Sequence, residues 1–384
     1  MDATAAPGPG TSAPGTATEP DPEIVADLAV VGAGPAGLYA ASCAGFRGLS
    51  TVLVDALAEP GGQIAALYPE KRIYDVAGWA AVRGRELVGE LVAQAAAFDP
   101  VWLLGRTATT LTPGDRGGWL VGLDDDGRGA RRAGRSPRAT RIRAGAVLVT
   151  AGLGRPTPRS LPALRPFEGR GVAYHVPRLE EHRGRDVVVV GGGDSAVDWA
   201  LALAPLAASV TVVHRRQAFR AHEHSVKQMY ASGVRVLTDT QVTHCHGTDR
   251  VEQVTVEDRE GQVTVLPAQA VVAALGFATS LGPLAGWGLA TEDRLITVDR
   301  AMRTSLPGVY AAGDICTYEG RVPLISVGFG EAATAANHAA VALRPGARLA
   351  PEHSTDRDPT PPTEPVAPHG SVASPAAPTP EPSV

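Results

Sequence analysis

Cysteine is scarce: Cys43, Cys245 and Cys316 are the only three in 384 residues, odd in number and far apart. No two stand close enough for a redox dithiol motif, so buried free thiols are expected rather than a disulfide framework or thiol-exchange chemistry. Metal is not expected either. His222-Glu223-His224 is a poor donor set, because side chains at i and i+2 on a helix diverge and no further cluster accompanies them. An apolar run of about 18 residues free of charge is also missing, which removes a membrane-spanning helix from consideration. The acidic, proline-rich start has neither the basic nor the apolar region of a signal peptide, so the expected compartment is the cytoplasm. Positive charge is not in excess: the net charge is -5, and no domain-wide basic surface exists for nucleic acid. An anionic ligand has to be met by local basic clusters.

Material for a core is plentiful. Hydrophobic residues make up 44% of a chain too long for one ordinary core, so two intertwined domains are expected. The ends differ in kind from the middle. Residues 1–23 and 356–384 are rich in Pro, Ala, Thr and Gly, bury too little apolar surface to offset chain entropy, and are expected to be disordered tails. Between Gly122 and Arg143 a Gly/Arg-rich stretch holds seven arginines; flanked by strand-like Gly118–Val121 and Ala146–Thr150, it is expected to be a solvated hairpin loop.

The strongest local signals are two glycine-rich turns, Gly32-Ala33-Gly34-Pro35-Ala36-Gly37 and Gly191-Gly192-Gly193-Asp194-Ser195-Ala196. Each follows a short apolar run suited to a buried parallel strand, Asp27–Val31 and Asp186–Val190. Each is followed by a small-residue helix and a second strand, Thr51–Val54 and Val210–Val213. The pattern is a βαβ unit, used twice. Gly34 and Gly193, without a Cβ, let backbone N–H groups approach a pyrophosphate at the positive end of the following helix. Twenty-three residues beyond each leading glycine the two units diverge, to Asp55 in the first and His214-Arg215-Arg216 in the second. A carboxylate there accepts hydrogen bonds from a ribose 2′-OH, whereas a basic cluster suits a 2′-phosphate. The first unit is therefore expected to hold FAD and the second NADPH, with Arg215, Arg216 and Arg220 on the phosphate and His214 assisting.

Chain order suggests that the second unit is inserted in the first. After Thr150-Ala151-Gly152-Leu153-Gly154 the chain enters the second unit, and the later run Gly308–Ala312 ends in Gly313-Asp314, a turn that belongs back beside the flavin. A helix expected from Glu331 to Leu343 follows Gly328-Phe329-Gly330 and aims its N-terminus into the site, where a helix dipole stabilises the negative charge gathered by reduced flavin. The expected fold is α/β, with two Rossmann-like three-layer dinucleotide-binding domains. The FAD-binding domain comprises 24–166 and 284–355, and the NADPH-binding domain, 167–283, lies within it. Segments 157–166 and 277–284 are the expected crossings, about which the inserted domain could turn.

Longer strings carry a resemblance. Gly61-Gly62-Gln63, Leu67-Tyr68-Pro69-Glu70-Lys71, Ile73–Gly78, His214-Arg215-Arg216, Phe219–Val226 and Gly313-Asp314-Ile315 resemble the type 2 ferredoxin-NADP+ reductases, within the thioredoxin reductase-like flavoproteins. Where thioredoxin reductases place their cysteine pair, after Gly169-Arg170-Gly171-Val172, this chain has Ala173-Tyr174-His175-Val176. Without a dithiol, electrons must leave the flavin directly.

The resemblance implies that Asp55 lies at the adenosine ribose and Gln63 near the isoalloxazine or ribityl region. It puts Tyr68 on one ring face, Ala108 at a backbone contact to adenine, and Asp314 on the ribityl side. It also places Pro156 near the flavin and brings His353 and Thr355 over the opposite ring face, commonly from the partner of a homodimer. Gly32 and Gly37 complete the first cofactor turn, and Gly191, Asp194 and Ser195 the second. The implied activity is hydride transfer between NADPH and FAD and single-electron transfer between FAD and ferredoxin or flavodoxin. Two other readings fit the same residues: an NADPH-dependent flavin oxidoreductase acting on a quinone or other small acceptor, and a non-catalytic nucleotide-binding relative.

Overall fold

The structure, a computed structural model, describes residues 23–124, 140–152, 154, 157–278 and 280–350. Strand β1 (Glu23–Val31) passes through the first glycine turn into α1 (Pro35–Phe46) and returns as β2 (Thr51–Asp55), parallel to β1 from Leu28↔Thr51 to Val31↔Val54. Helices α2 (Gly62–Leu67) and α3 (Gly84–Ala96) precede β3 (Val101–Leu104), β4 (Ala108–Pro113), β5 (Trp119–Leu123) and β6 (Arg141–Val149). They form a sheet of order β3-β2-β1-β6-β5-β4, parallel through β6 and antiparallel beyond it. Glu23 belongs to this sheet, not to a tail: it opens β1 opposite Arg141 and bonds the Arg143 guanidinium.

The chain leaves this domain through β7 (Thr157–Pro158) and enters a second one. Its parallel sheet uses β8 (Val172–Ala173), β9 (Asp186–Val190), β10 (Ser209–Val213) and β11 (Arg235–Leu237), with α4 (Asp194–Leu203) and α5 (Glu223–Ala231) on one face. An antiparallel sheet of β12 (Thr240–His246), β13 (Gln253–Asp258) and β14 (Val263–Pro267) covers the other face, and β15 (Ala270–Ala273) completes the parallel order β8-β15-β9-β10-β11. Val187–Val190 are buried on both faces, which explains their unbroken apolar run. The return strand β16 (Phe277–Ala278) pairs with β7, so the two crossings form one short ribbon.

Packing puts the crossover at that ribbon rather than at 166/167 and 283/284. Leu161, Ala163 and Leu164 already join the core of the inserted domain, and Leu281 and Leu284 that of the first. Back in the first domain, β17 (Val309–Ala311) pairs with β6 at Val309↔Val147, and α6 (Ile325–Leu343) packs on α1. Helix α6 begins six residues before the expected Glu331. Gly328 and Gly330 do not break it, and Gly328 packs beside Gly313, where a Cβ would be at an ordinary contact distance of 3.5 Å from the Gly313 Cα. Small residues on both helices, among them Ala40, Ala41 and Ala44 against Ala332, Ala335 and Ala339, form one core cluster.

Candidate functional site

One cavity of about 650 Å³ opens at the carboxyl ends of the first sheet, the position where open α/β sheets bind ligands. Gly32, Gly34, Asp55, Gln63, Tyr68, Ala108 and Asp314, far apart in sequence, all line it. The glycine turn is fitted to this approach. Gly32 has φ +115°, and a Cβ there would stand 2.5 Å from the Thr150 carbonyl oxygen. Gly34 caps α1 in an extended conformation beside Gly62. Gly37 does not line the cavity. Its missing Cβ admits the Gly32 carbonyl, which would otherwise be 1.8 Å away, and so sets helix against strand. Asp55 ties the turn to the end of β2. Its Oδ2 accepts from the Ala33 N–H at 2.6 Å and its Oδ1 from the Leu57 N–H at 2.8 Å. Burial raises the carboxyl pKa against the pull of these two donors, so hydroxyl donors from a ribose would meet a carboxylate short of solvation.

The second glycine turn is built likewise. Gly191, with φ +153°, leaves no room for a Cβ beside the Ala274 carbonyl, whereas Gly193 caps α4 and faces open space. Ser195 lies in the first turn of α4. The segment after β10 is laced to this turn. The Arg220 N–H donates to the Gly192 carbonyl at 2.8 Å, and the His222 N–H donates to Asp194 Oδ1 at 2.9 Å. His214 is 8% exposed, packs on Phe219 at a 33° tilt with ring centroids 4.9 Å apart, and places Nε2 3.2 Å from the Ala218 carbonyl. Its ring occupies the space that a Cβ on Gly192 would take. Burial first, and then the neighbouring arginines, lower its pKa, against the hydrogen bond to the Ala218 carbonyl, which raises it. Arg215, Arg216 and Arg220 are exposed on this clamped loop, and among the described residues none of them forms an ion pair.

Tyr68 joins the two sites. It lines the first cavity and also packs against the helical core of the inserted domain, with the Lys71 ammonium 5.6 Å from its ring centroid. Lys71 in turn forms a 2.5 Å ion pair with Asp198 on α4. One turn of chain thus touches both the first cavity and the helix that begins at the second glycine turn.

Pro156, His353 and Thr355 lie outside the described residues, as do residues 1–22 and 351–384 and the 125–139 part of the Arg-rich stretch. Several wall residues had no local signal. Arg106 and Thr150 line the cavity from strand ends, Leu281–Leu284 from the return crossing, and Leu324 and Ile325 from the start of α6. The early start of α6 is what brings its N-terminus to this wall.

Comparison with known proteins places the fold. Residues 26–339 match the family model described as pyridine nucleotide-disulphide oxidoreductase. A curated ferredoxin–NADP reductase from Saccharopolyspora erythraea is 57% identical over 334 residues, covering 86% of this chain and 97% of the relative. That of Thermus thermophilus is 47% identical, covering 86% and 97%. Among solved structures, a thioredoxin reductase from T. acidophilum superposes with a TM-score of 0.68 at 25% identity, over 82% of this chain and 98% of that one.

Proposed function

The chain belongs to the pyridine nucleotide-disulphide oxidoreductase family, and from that premise we propose that it is an FAD-dependent ferredoxin–NADP+ reductase. FAD is assigned to the first cavity and NADPH to the second glycine turn. When bound, the flavin exchanges hydride with NADPH and passes single electrons to ferredoxin, or to flavodoxin in its place. The observation that carries the reading is the pairing of two unlike nucleotide sites. The Asp55 carboxylate braces the glycine turn of the first, and three exposed arginines lie on the loop tied to the second. Curated relatives covered almost end to end bear the ferredoxin–NADP reductase name, which supports the acceptor.

This chain's residues bind and orient. Asp55 holds the first turn and offers remaining lone pairs to a ribose, the start of α6 presents free N–H groups, and Tyr68 limits water access as a flat cover. The arginine forks match the oxygens of a 2′-phosphate. The family's thiol exchange has no place here: positions 173–176 read Ala-Tyr-His-Val, and Cys43, Cys245 and Cys316 are all unpaired. Burial pushes the Cys43 and Cys245 thiols up to about 11, where they are poor nucleophiles at neutral pH. Free thiols fit the cytoplasm as the compartment, and no helix among the described residues is long and apolar enough to cross a membrane. A homodimer is part of the reading, by the family resemblance, with His353 and Thr355 as the partner-side cover.

The test is an anaerobic titration of the purified, FAD-loaded protein with NADPH, followed by cytochrome c reduction with and without added ferredoxin. Bleaching of the flavin and turnover dependent on ferredoxin are expected. Bleaching with turnover only on quinones would move the assignment to the small-acceptor enzyme, and no bleaching would leave a nucleotide-binding relative.

A further inference from the structure

Glu331 has no part in the binding or transfer described above, yet it is 4% exposed and fully engaged. Its Oε2 accepts from the Gly313 N–H at 2.7 Å, and its Oε1 from the Tyr318 hydroxyl at 3.0 Å and from Arg321 Nε at 2.9 Å. The Cys316 Sγ stands 3.6 Å from Oε2. Burial first, and then the Glu331 carboxylate, pushes both the Tyr318 phenol and the Cys316 thiol up to about 12, so both keep their protons and act as donors. Arg321 is nearly as buried, with 7% of its side chain exposed, and its Nη2 reaches Asp314 Oδ1 at 3.4 Å. One buried cation thus stands between two carboxylates. Asp314 and Gly313 belong to the wall of the flavin cavity, as do Ile325 and Gly328 of the helix that carries Glu331.

The arrangement is more than a brace. A neutral packing residue could fill the same space without the cost of desolvating two ions. What the ion pair adds is fixed charge, held in a poorly solvated wall where charges act strongly on one another. Reduced flavin carries more negative charge than oxidised flavin, so charge in that wall separates the two states.

We propose that Arg321, held by Glu331, is a positioning and tuning residue that fixes the Gly313-Asp314 turn and offsets the Asp314 carboxylate, thereby setting the reduction potential of the bound flavin. The proposal rests on the FAD reading of the cavity. Arg321→Met leaves two carboxylates without their cation and should lower the midpoint potential. Glu331→Gln and Asp314→Asn each remove a negative charge and should raise it.

The experiment is a spectroelectrochemical titration of the FAD-loaded wild type and the three variants, with Arg321→Lys as the conservative control. Each shift should change the ratio of reduced to oxidised flavin at fixed potential at least tenfold, about 30 mV for a two-electron couple. Arg321→Lys should return most of the loss. FAD affinity, read from quenching on adding FAD to the apoprotein, should fall about tenfold in Arg321→Met. Potentials that stay at the wild-type value, or move in the same direction in Arg321→Met and Glu331→Gln, would overturn the proposal. Asp314→Asn lies at a half-exposed site and keeps the outcome decisive should the buried variants not fold; an unshifted or lowered potential there also overturns it. A wild-type apoprotein that takes up no FAD would instead sink the reading of the cavity.

Discussion

The proposed choice of NADPH over NADH is testable on one basic side chain. Arg216 is exposed, without an ion-pair partner among the described residues, on a loop tied to the second glycine turn by the Arg220 and His222 N–H groups. A charge-assisted hydrogen bond to phosphate is worth about 1.5–3 kcal/mol, or roughly 10- to 150-fold in affinity. Arg216→Ala should therefore erase most of the preference for NADPH over NADH, read as the ratio of the two dissociation constants. An unchanged ratio would remove this cluster from the phosphate site. Gly192 tests the loop behind it. An added methyl would fall 2.1 Å from the His214 ring, so Gly192→Ala should cost on the order of 1–3 kcal/mol of stability and weaken NADPH binding. The double variant Gly192→Ala/His214→Ala should recover part of both, measured by thermal unfolding and by nucleotide titration. No recovery would mean that His214 acts on the ligand rather than on the packing.

At the scale of elements, the ribbon of β7 and β16 is the covalent connection between the domains, and the Lys71–Asp198 pair is a contact that a rotation would break. Both partners are about 30% exposed, so the pair is worth about 1 kcal/mol or less and weakens with salt. Lys71→Met should change the rate of flavin reduction by NADPH by up to about fivefold at low salt, with the difference fading at high salt. A salt-independent difference in stopped-flow rates would exclude electrostatic latching. Much of this level was legible in the residues. Glycine turns between apolar runs gave both βαβ units, because backbone sterics and strand burial act over a few residues. The start of α6 was not legible: Gly328 and Gly330 look like helix breakers, yet the helix runs through both. Nor was the Glu331 cluster, whose donors come from a loop that reaches it only when β17 and α6 are in place. Asp55 was legible through its interval from Gly32, and its bonds to Ala33 and Leu57 show that the same carboxylate also builds the turn.

For the whole molecule, the two domains should answer acid differently. His175, His182 and His214 all belong to the inserted domain, and burial depresses each below the usual 6.5. His182 adds a buried Nδ1 with no hydrogen-bond partner among the described residues. A histidine depressed in the folded state contributes stability that is present above 6.5 and is lost as pH falls through its folded value. Asp55, in the first domain, is raised above its usual 3.8, so its contribution has the opposite sense: it is present below 3.8 and lost as pH rises through the folded value. Lowering pH from 7 to 5 should therefore loosen the inserted domain, whereas Asp55 gives the first domain no corresponding loss. Hydrogen exchange on the apoprotein, corrected for the intrinsic pH dependence of the chemistry, separates the two. Peptides from β9 and β10 should lose protection before those from β1 and β2. Loss in the reverse order, or together, would show that coupling through the β7–β16 ribbon and Tyr68 outweighs the buried histidines, and that the two domains unfold as one unit.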